Sequence, residues 1–344
     1  MRKLSCPVLI TLLVVLLVVV FFIALCAGRY SIRVTEVVRI LASSVFDVTQ
    51  TWDDKAYGVI FTLRLPRTIG AVLVGAALSL AGAALSLAGA AYQGVFKNPL
   101  VSPDLLGVSS GACVGAAIAI LLGMNSLGVQ TLAFAVGIGA VTLTMLIPRL
   151  FRSSSMMMLV LSGVIVRGMM DSVVGVIKYI ADPETQLADI TYWTLGSLVK
   201  VLSSDLFAIA PVIAAGCLMV LLLSWRINIL SLGEQEARAL GVHVGFVRGV
   251  VIICSTLLTA SAVCVCGTIG WVGLVIPHLS RITVGQDNTK SIPVSLLMGA
   301  IFMVAIDTLA RVLTSLELPL SILTGIIGAP FYFMVLAGQR MSLS

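Results

Sequence analysis

Few side chains in this sequence could do chemistry, and their spacing argues against catalysis. The only histidines are His243 and His278, and neither sits in a His-Glu-x-x-His zinc pattern. A Gly-x-x-x-x-Gly-Lys-Ser/Thr phosphate loop is also missing, so the chain carries neither of the common signatures for holding a catalytic metal or a nucleotide. Seven cysteines stand at positions 6, 26, 113, 217, 254, 264 and 266, nearly all within apolar runs, where a thiol packs as a small hydrophobe. Cys264 and Cys266 are two apart, which on a helix points them to different faces, so no metal site is expected. What remains is ion pairing. Arg167 and Asp171 stand four apart inside an apolar run, so they share a helix face and can pair. Ionisable residues within a membrane span face protein or a water-filled cavity. Arg167 is therefore a candidate contact for an anionic ligand, with a purely structural pair as the alternative. Any energy source must lie in another subunit or in an ion gradient.

The elements that must position these residues are membrane helices. Of the 344 residues, 59% are hydrophobic and 10% are charged, whereas a soluble domain carries about a quarter charged residues to face water. A spanning helix needs roughly 20 mostly apolar residues, and runs of that length recur. The first is Pro7 to Ala27, behind Arg2 and Lys3; it exceeds the about 7 to 15 apolar residues of a signal peptide, so a retained helix is expected. A second is the uncharged run Thr68 to Phe96, and a third and fourth lie between Asp104 and Arg149, around a turn at Gly123-Met-Asn-Ser-Leu-Gly128. Met156 to Ile177 is a fifth and Leu206 to Trp225 a sixth. The stretch from Gly249 to Ser280 contains Gly267, Gly270, Gly273 and Pro277, which reads as a long helix, a break and a short returning helix. Ile292 to Ala310 and Leu318 to Ala337 complete the expectation: an all-α polytopic membrane bundle of ten transmembrane helices in a single domain, residues 1–344.

An even number of crossings puts both termini on one side. The terminal-side segments hold Arg2, Lys3, Lys97, Arg149, Arg152, Arg226, Arg238, Arg248, Arg281, Lys290 and Arg340 against Asp104, Glu234, Glu236 and Asp287, while the opposite side is close to balanced. The positive-inside tendency then places both termini in the cytoplasm. Within the runs, Gly107, Gly111 and Gly115, and again Gly241, Gly245 and Gly249, recur at four-residue spacing, a pattern that lets helix backbones approach closely. On the cytoplasmic side, within residues 226–248, Gly233, Glu234, Glu236, Ala237, Arg238 and Leu240 suit a short amphipathic helix closed by Gly241.

That hydrophilic island resembles the coupling loop of ABC-importer permeases, in which a short helix docks into a cleft of the ATPase. Further segments narrow the resemblance to the FecCD family of permeases for iron-siderophore, haem and cobalamin import. They are Arg64-Leu-Pro-Arg67, Gln93-Gly-Val-Phe-Lys-Asn-Pro-Leu100, Leu105-Leu-Gly-Val-Ser-Ser-Gly-Ala112, Tyr192-Trp-Thr-Leu-Gly-Ser197, the run Gly267-Thr-Ile-Gly-Trp-Val-Gly-Leu-Val-Ile-Pro-His-Leu-Ser-Arg281, and Leu323-Thr-Gly-Ile-Ile-Gly-Ala-Pro330. The resemblance implies a subunit of a bacterial or archaeal cytoplasmic (inner) membrane that binds no cofactor itself. Its implied partners are a second permease subunit, the same or homologous, two ATP-binding subunits holding ATP and Mg, an extracytoplasmic substrate-binding protein and the lipid bilayer, with no nucleic acid. It further implies that Arg64, Arg67 and Arg311 sit at the external rim and pair with carboxylates of the binding protein, the alternative being plain headgroup anchors. Asn98, Pro99 and Leu100, with Ser153, Ser154 and Ser155, correspond to cytoplasmic gate segments. The implied cargo is a ferric siderophore or related metal chelate, with haem or cobalamin as the alternative. A rival from another class, an ion-coupled secondary transporter, would need ionisable groups near the midplane, where only Arg167 and Asp171 qualify; a non-transport scaffold fits a many-helix bundle poorly.

One feature departs from the family pattern. Ala77-Leu-Ser-Leu-Ala-Gly-Ala83 is followed at once by the identical Ala84-Leu-Ser-Leu-Ala-Gly-Ala90. Seven residues add about 10 Å of helix and nearly two whole turns. The run from Thr68 to Phe96 would then measure about 43 Å against a hydrocarbon core near 30 Å. The expectation is that Arg64-Leu-Pro-Arg67 is displaced outward, or that the second helix breaks, while the Asn98 end stays in place.

Overall fold

The computed structural model describes residues 5–47, 49–88, 106–152, 156–314 and 317–341. All regular structure among them is helical. Helix α1 (Cys6–Cys26) has proline in its first turn, where a missing N–H leaves no hydrogen bond unmade. It is exposed along most of its length and buried only at Ala24 and Leu25. A short amphipathic helix α2 (Val34–Ala42) follows, then α3 (Asp54–Gly58), a π-helical turn over Val59–Arg64, and α4 (Leu65–Ala88), which run on as one rod. The π turn has a local cause. Pro66 has no N–H to offer the carbonyl four residues back and its ring crowds that carbonyl, so the Leu65 N–H bonds to Ile60 instead, one residue further than in an α-helix.

The remaining helices are α5 (Val108–Leu121), α6 (Ser126–Leu150), α7 (Met156–Ile180), α8 (Gln186–Leu195), α9 (Ser203–Leu230), α10 (Glu234–Ala239), α11 (Val244–Cys266), α12 (Val272–Val284), α13 (Asn288–Leu313) and α14 (Leu320–Met341). Among the described residues seven helices are long and apolar enough to cross a membrane, and three apolar helices are shorter: Val108–Leu121, Val272–Val284 and Leu320–Met334. Helix α4 is the hub, packed on α9, α11, α12 and α13, while α5, α6 and α7 form a group joined to it largely through α11.

Small residues make the hub possible. A Cβ on Gly75 would strike the backbone of Gly299 in α13, and one on Gly82 would strike the carbonyl of Gly273 in α12. Between these contacts the Ser79 hydroxyl lies 2.7 Å from both the carbonyl and the hydroxyl oxygen of Ser295. In a membrane such close approach supplies the dispersion contact that a hydrophobic drive supplies in water. Of the two glycine series expected to pack, the first does so at Gly111 and Gly115, which abut α6, while Gly107 serves as a left-handed N-cap at φ 79°. The second series does not: Gly245 and Gly249 face open space, and Gly241 is needed for its φ of 77°.

The register of α4 is set by buried charge. Arg67 Nε lies 2.8 Å from Asp307 of α13, and its Nη1 lies 2.8 Å from Glu317 in the connection to α14. Arg311, one turn beyond Asp307, approaches the same carboxylate at 3.3 Å. Arg64 donates to the carbonyls of Leu25, Cys26 and Tyr30 at 2.6, 3.1 and 2.5 Å, and Arg311 donates to Ala24 at 3.1 Å. Two guanidinium groups thereby satisfy the orphan carbonyls at the C-terminal end of α1, where the helix dipole favours positive charge.

These contacts correct two expectations. Arg64 and Arg67 are not pushed outward; they sit inside a helix and are 5% and 7% exposed. The rod does not break among its described residues, and it starts at Asp54 instead of near Thr68. The candidate span Asp54–Ser86 of 33 residues measures about 50 Å, well beyond a hydrocarbon core of about 30 Å. Arg67, which precedes both copies of the repeat, is held in place by α13. The identity is also longer than the two heptads, since Gly75–Ala84 recurs as Gly82–Ala91. Deleting residues 84–90 therefore leaves the sequence from Gly75 to Ala84 intact.

Two outcomes are expected. A disulfide between Ser79→Cys and Ser295→Cys should form both in the full chain and in the chain lacking residues 84–90; its loss in the shortened chain alone would show that register is set from the other end. Asp307→Ala leaves buried Arg311 without its carboxylate and Arg67 with Glu317 alone, and should cost about 3–5 kcal/mol. The thermal midpoint of the solubilised protein reads this, and an unchanged midpoint would remove the network from the stabilising interactions.

Candidate functional site

The hydrophilic island is a compact knob. Gly233 at φ 128° makes the corner between α9 and α10, a conformation costly for a residue with a Cβ. At the other end the Gly241 N–H bonds to Arg238 O at 3.0 Å and the Val242 N–H to Ala237 O at 2.9 Å, the paired bonds of a Schellman closure. Ala237 is fully buried beneath the helix. Glu234 accepts from Arg248 of α11 at 2.6 Å and lies 3.4 Å from Arg238, which ties the knob to the following span. The carboxylate of Glu236 lies against Gly233, near the N-terminal N–H groups of α10, where negative charge is favoured. Around this frame Leu232, Leu240 and Phe246 are exposed. A short helix braced at both ends, with apolar side chains outward, suits insertion into a groove of another protein.

The Arg167–Asp171 pair sits near the middle of α7, with Nε 3.6 Å from Oδ2. Both side chains are more than half exposed, at 54% and 56%. The buried Val166, Met170, Val174 and Ile177 lie on the neighbouring face of α7, about a quarter turn away, so the charged pair stands outside the chain's own core. The turn leading out of α7 is held by Asp182, which accepts from the Thr185 hydroxyl at 2.8 Å and from the Thr185 and Glu184 N–H groups at 2.9 and 3.0 Å. Those hydrogen bonds, the Thr185 hydroxyl first, keep its carboxyl below the ordinary value. Gln186 then anchors the start of α8 to the Leu121 carbonyl at 3.1 Å.

Three of the sequence motifs converge at the break between α11 and α12. Thr268 donates to the Thr194 carbonyl at 2.6 Å, Ser197 N–H to Cys266 O at 2.7 Å, Leu320 N–H to Gly196 O at 3.0 Å and the Ser321 hydroxyl to Thr268 O at 2.5 Å. Irregular backbone in a membrane protein is tolerated where other protein satisfies it, and here α8 and α14 do so. Gly196 and Gly267 have φ of 74° and 72°, and a Cβ on either would collide with backbone of the other strand of the junction. Beside it is a cavity of about 570 Å³ whose polar lining includes Gln130, Asp189, Ser197, Lys200 and Glu317.

The sequence-derived site residues thus fall into separate places. Gly233, Glu234, Glu236, Ala237, Arg238, Leu240 and Gly241 form the knob, and Arg167 and Asp171 form the α7 pair. Arg64, Arg67 and Arg311 were expected at an external rim facing a partner's carboxylates; they are 5%, 7% and 8% exposed and take their partners within the chain. Desolvated guanidinium groups require such partners. Asn98, Pro99 and Leu100, and Ser153, Ser154 and Ser155, lie outside the described residues. Asp307 and Glu317 were missed by the sequence reading. The four-residue spacing of Asp307 and Arg311 was a usable signal, whereas the Arg67 contacts join residues 240 and 250 apart.

Known proteins of similar sequence and fold are membrane transport permeases. The chain is 40% identical over 329 residues to a molybdate import system permease protein of Haemophilus influenzae, covering 95% of each chain. It is 39% identical to a probable iron chelatin transport system permease of Helicobacter pylori, over 82% of this chain and 83% of the relative. It is 35% identical to a hemin transport system permease of Yersinia pestis, over 84% and 86%. A solved inward-facing structure of a metal-chelate type ABC transporter superposes with a TM-score of 0.83 at 37% identity, covering 96% of this chain and 99% of that one. The FecCD transport family matches residues 16–338, and the chain, an ABC-importer permease, belongs to that family.

Proposed function

We propose that the chain forms one half of the pathway of an ATP-driven importer, carrying a ferric siderophore or related metal chelate across the cytoplasmic membrane by alternating access. The Arg167–Asp171 pair carries the proposal, because it is exposed on the outer face of a helix long and apolar enough to span the membrane. Hydrocarbon is a poor surrounding for two charges. The face is therefore covered by a second permease subunit or by an aqueous path between two such subunits. A guanidinium group there suits an anionic chelate, since charge-assisted hydrogen bonds to carboxylates and hydroxamate or catecholate oxygens are among the stronger ones.

The other elements take complementary roles. The knob around Glu234 to Leu240 docks into one of two ATP-binding subunits, which hold the ATP and Mg, and the second permease subunit engages the other. An extracytoplasmic binding protein delivers the cargo. The three short apolar helices complete ten crossings with the seven longer ones, both termini lie in the cytoplasm, and Asn98 to Leu100 with Ser153 to Ser155 act as gate segments. The transport function of the relatives supports this reading, and their named cargoes, molybdate, iron chelatin and hemin, all contain a metal. Molybdate is the second reading, favoured by the 40% identity that extends over 95% of both chains with the molybdate permease.

Uptake into vesicles containing the assembled transporter, its binding protein and internal ATP separates the readings. Saturable uptake of a radioiron chelate supports the first, and uptake of labelled molybdate that the chelate does not compete with replaces it by the second. Arg167→Ala is expected to lower cargo uptake about tenfold, the loss of one charged hydrogen bond, while leaving assembly intact. Wild-type uptake in that variant would remove Arg167 from the pathway. Leu240→Asp, at an exposed position, should abolish co-purification of the ATP-binding subunits without lowering the chain's thermal midpoint; retained co-purification would refute the knob as the docking element.

A further inference from the structure

Between the C-terminal third of α1 and the amphipathic helix α2 lies an apolar groove of about 550 Å³. Val18, Phe22, Ile23 and Cys26 form one wall, and Val34 and Val38, one turn apart on α2, form the other. Val34 and Val38 are 58% and 48% exposed, and Val45 and Phe46, just beyond α2, are 77% and 67% exposed. A short helix with valines on an open face is costly in water and favourable at the boundary of a bilayer, where amphipathic helices lie in the plane of the interface.

The groove's position relative to charge identifies its occupant. Helix α1 is uncharged throughout and ends at Cys26, and Arg29 and Arg33 follow at once, both exposed. Neither forms an ion pair or side-chain hydrogen bond with another described residue, in contrast to Arg39, which donates to Thr51 at 3.1 Å. Glu36 in the first turn of α2 is the acidic residue nearest in sequence, leaving the rim with excess positive charge. An apolar slot that opens onto the lipid along a spanning helix, with two unpaired cations where the hydrocarbon ends, matches a two-part ligand with a hydrocarbon chain and an anionic head.

We propose that this groove is a binding site for an anionic phospholipid, with an acyl chain lying between α1 and α2 and the phosphate held by Arg29 and Arg33. The site holds α2 against α1 on the side that Leu25, Val37 and Ile40 leave uncovered, so lipid completes the outer end of the first span. The proposal rests on the membrane reading of α1 and is independent of the cargo.

The test is native mass spectrometry of the delipidated full-length chain titrated with phosphatidylglycerol or phosphatidylcholine of the same chain length. Preferential retention of phosphatidylglycerol is expected. Arg29→Gln with Arg33→Gln should weaken that retention by on the order of tenfold and erase the headgroup preference. Val38→Trp should reduce retention of both lipids by filling the slot. Equal retention of the two lipids by the unsubstituted chain, or undiminished phosphatidylglycerol on Val38→Trp, would overturn the site. A second measurement avoids dependence on the variants' folding. Trp52 packs against the same cluster as Phe22 and Cys26, so phosphatidylglycerol brominated in its chains should quench its fluorescence, measured as the difference from Trp52→Phe. Absence of a Trp52-specific component would likewise reject the assignment.

Discussion

Buried positive charge organises this bundle. Arg67 is nearly inaccessible and lies within a long apolar rod, yet it meets Asp307 and Glu317 at 2.8 Å each. Removing a guanidinium group from water costs several kcal/mol, and only a close carboxylate with further hydrogen bonds offsets it. Once Arg67 and Asp307 face each other, α4 and α13 have one register. Gly75 then falls opposite Gly299, and Ser79 meets Ser295. Arg64 and Arg311 extend the same principle to α1 by satisfying its terminal carbonyls. Dispersion holds the helices together, but it is the charges that choose which residue lies beside which.

The same physics read in reverse singles out the exposed ion pair. Arg167 and Asp171 have only each other and remain open to their surroundings, a state that a membrane span sustains only beside protein or water. The contrast between the two ion-pair systems is therefore informative. Arg67, Asp307 and Arg311 are drawn inward and hold helices in place, whereas Arg167 and Asp171 are left outward on α7. The knob at α10 shows a third arrangement, in which charge braces a small element internally while Leu232, Leu240 and Phe246 are presented outward. Its rigidity suits a lever, since motion imposed on it passes to α11 through Glu234 and Arg248.

Much of the helical plan was legible along the chain. The apolar runs, the turn at Gly123 to Gly128, with Asn125 capping Gly128 at 2.9 Å, and the broken helix around Gly267 all have local causes. The knob was legible for the same reason, since Gly233, the acidic first turn and Gly241 are local signals of a short capped helix. Helix limits were less so: hydropathy placed the second span after Arg67, because two arginines look like a boundary, but their charges are answered from α1 and α13. The glycine series illustrates the same limit. Gly111 and Gly115 abut α6, whereas Gly245 and Gly249 at the same spacing face nothing within 4 Å.

The order of residues alone is enough to establish that this is a membrane bundle, where the long apolar helices and the short capped helix after Gly233 lie, and which family the motifs resemble. Each of these follows from composition, periodicity or local turn chemistry, which act over a few residues. It took the three-dimensional arrangement to establish that Arg64, Arg67 and Arg311 face inward, that Arg67 is anchored to α13, and that the segments near Gly196, Gly267 and Leu320 meet at one junction. Those outcomes depend on partners up to 287 residues away, and the cost of an unpaired buried charge or carbonyl is known only once it is clear what stands opposite it.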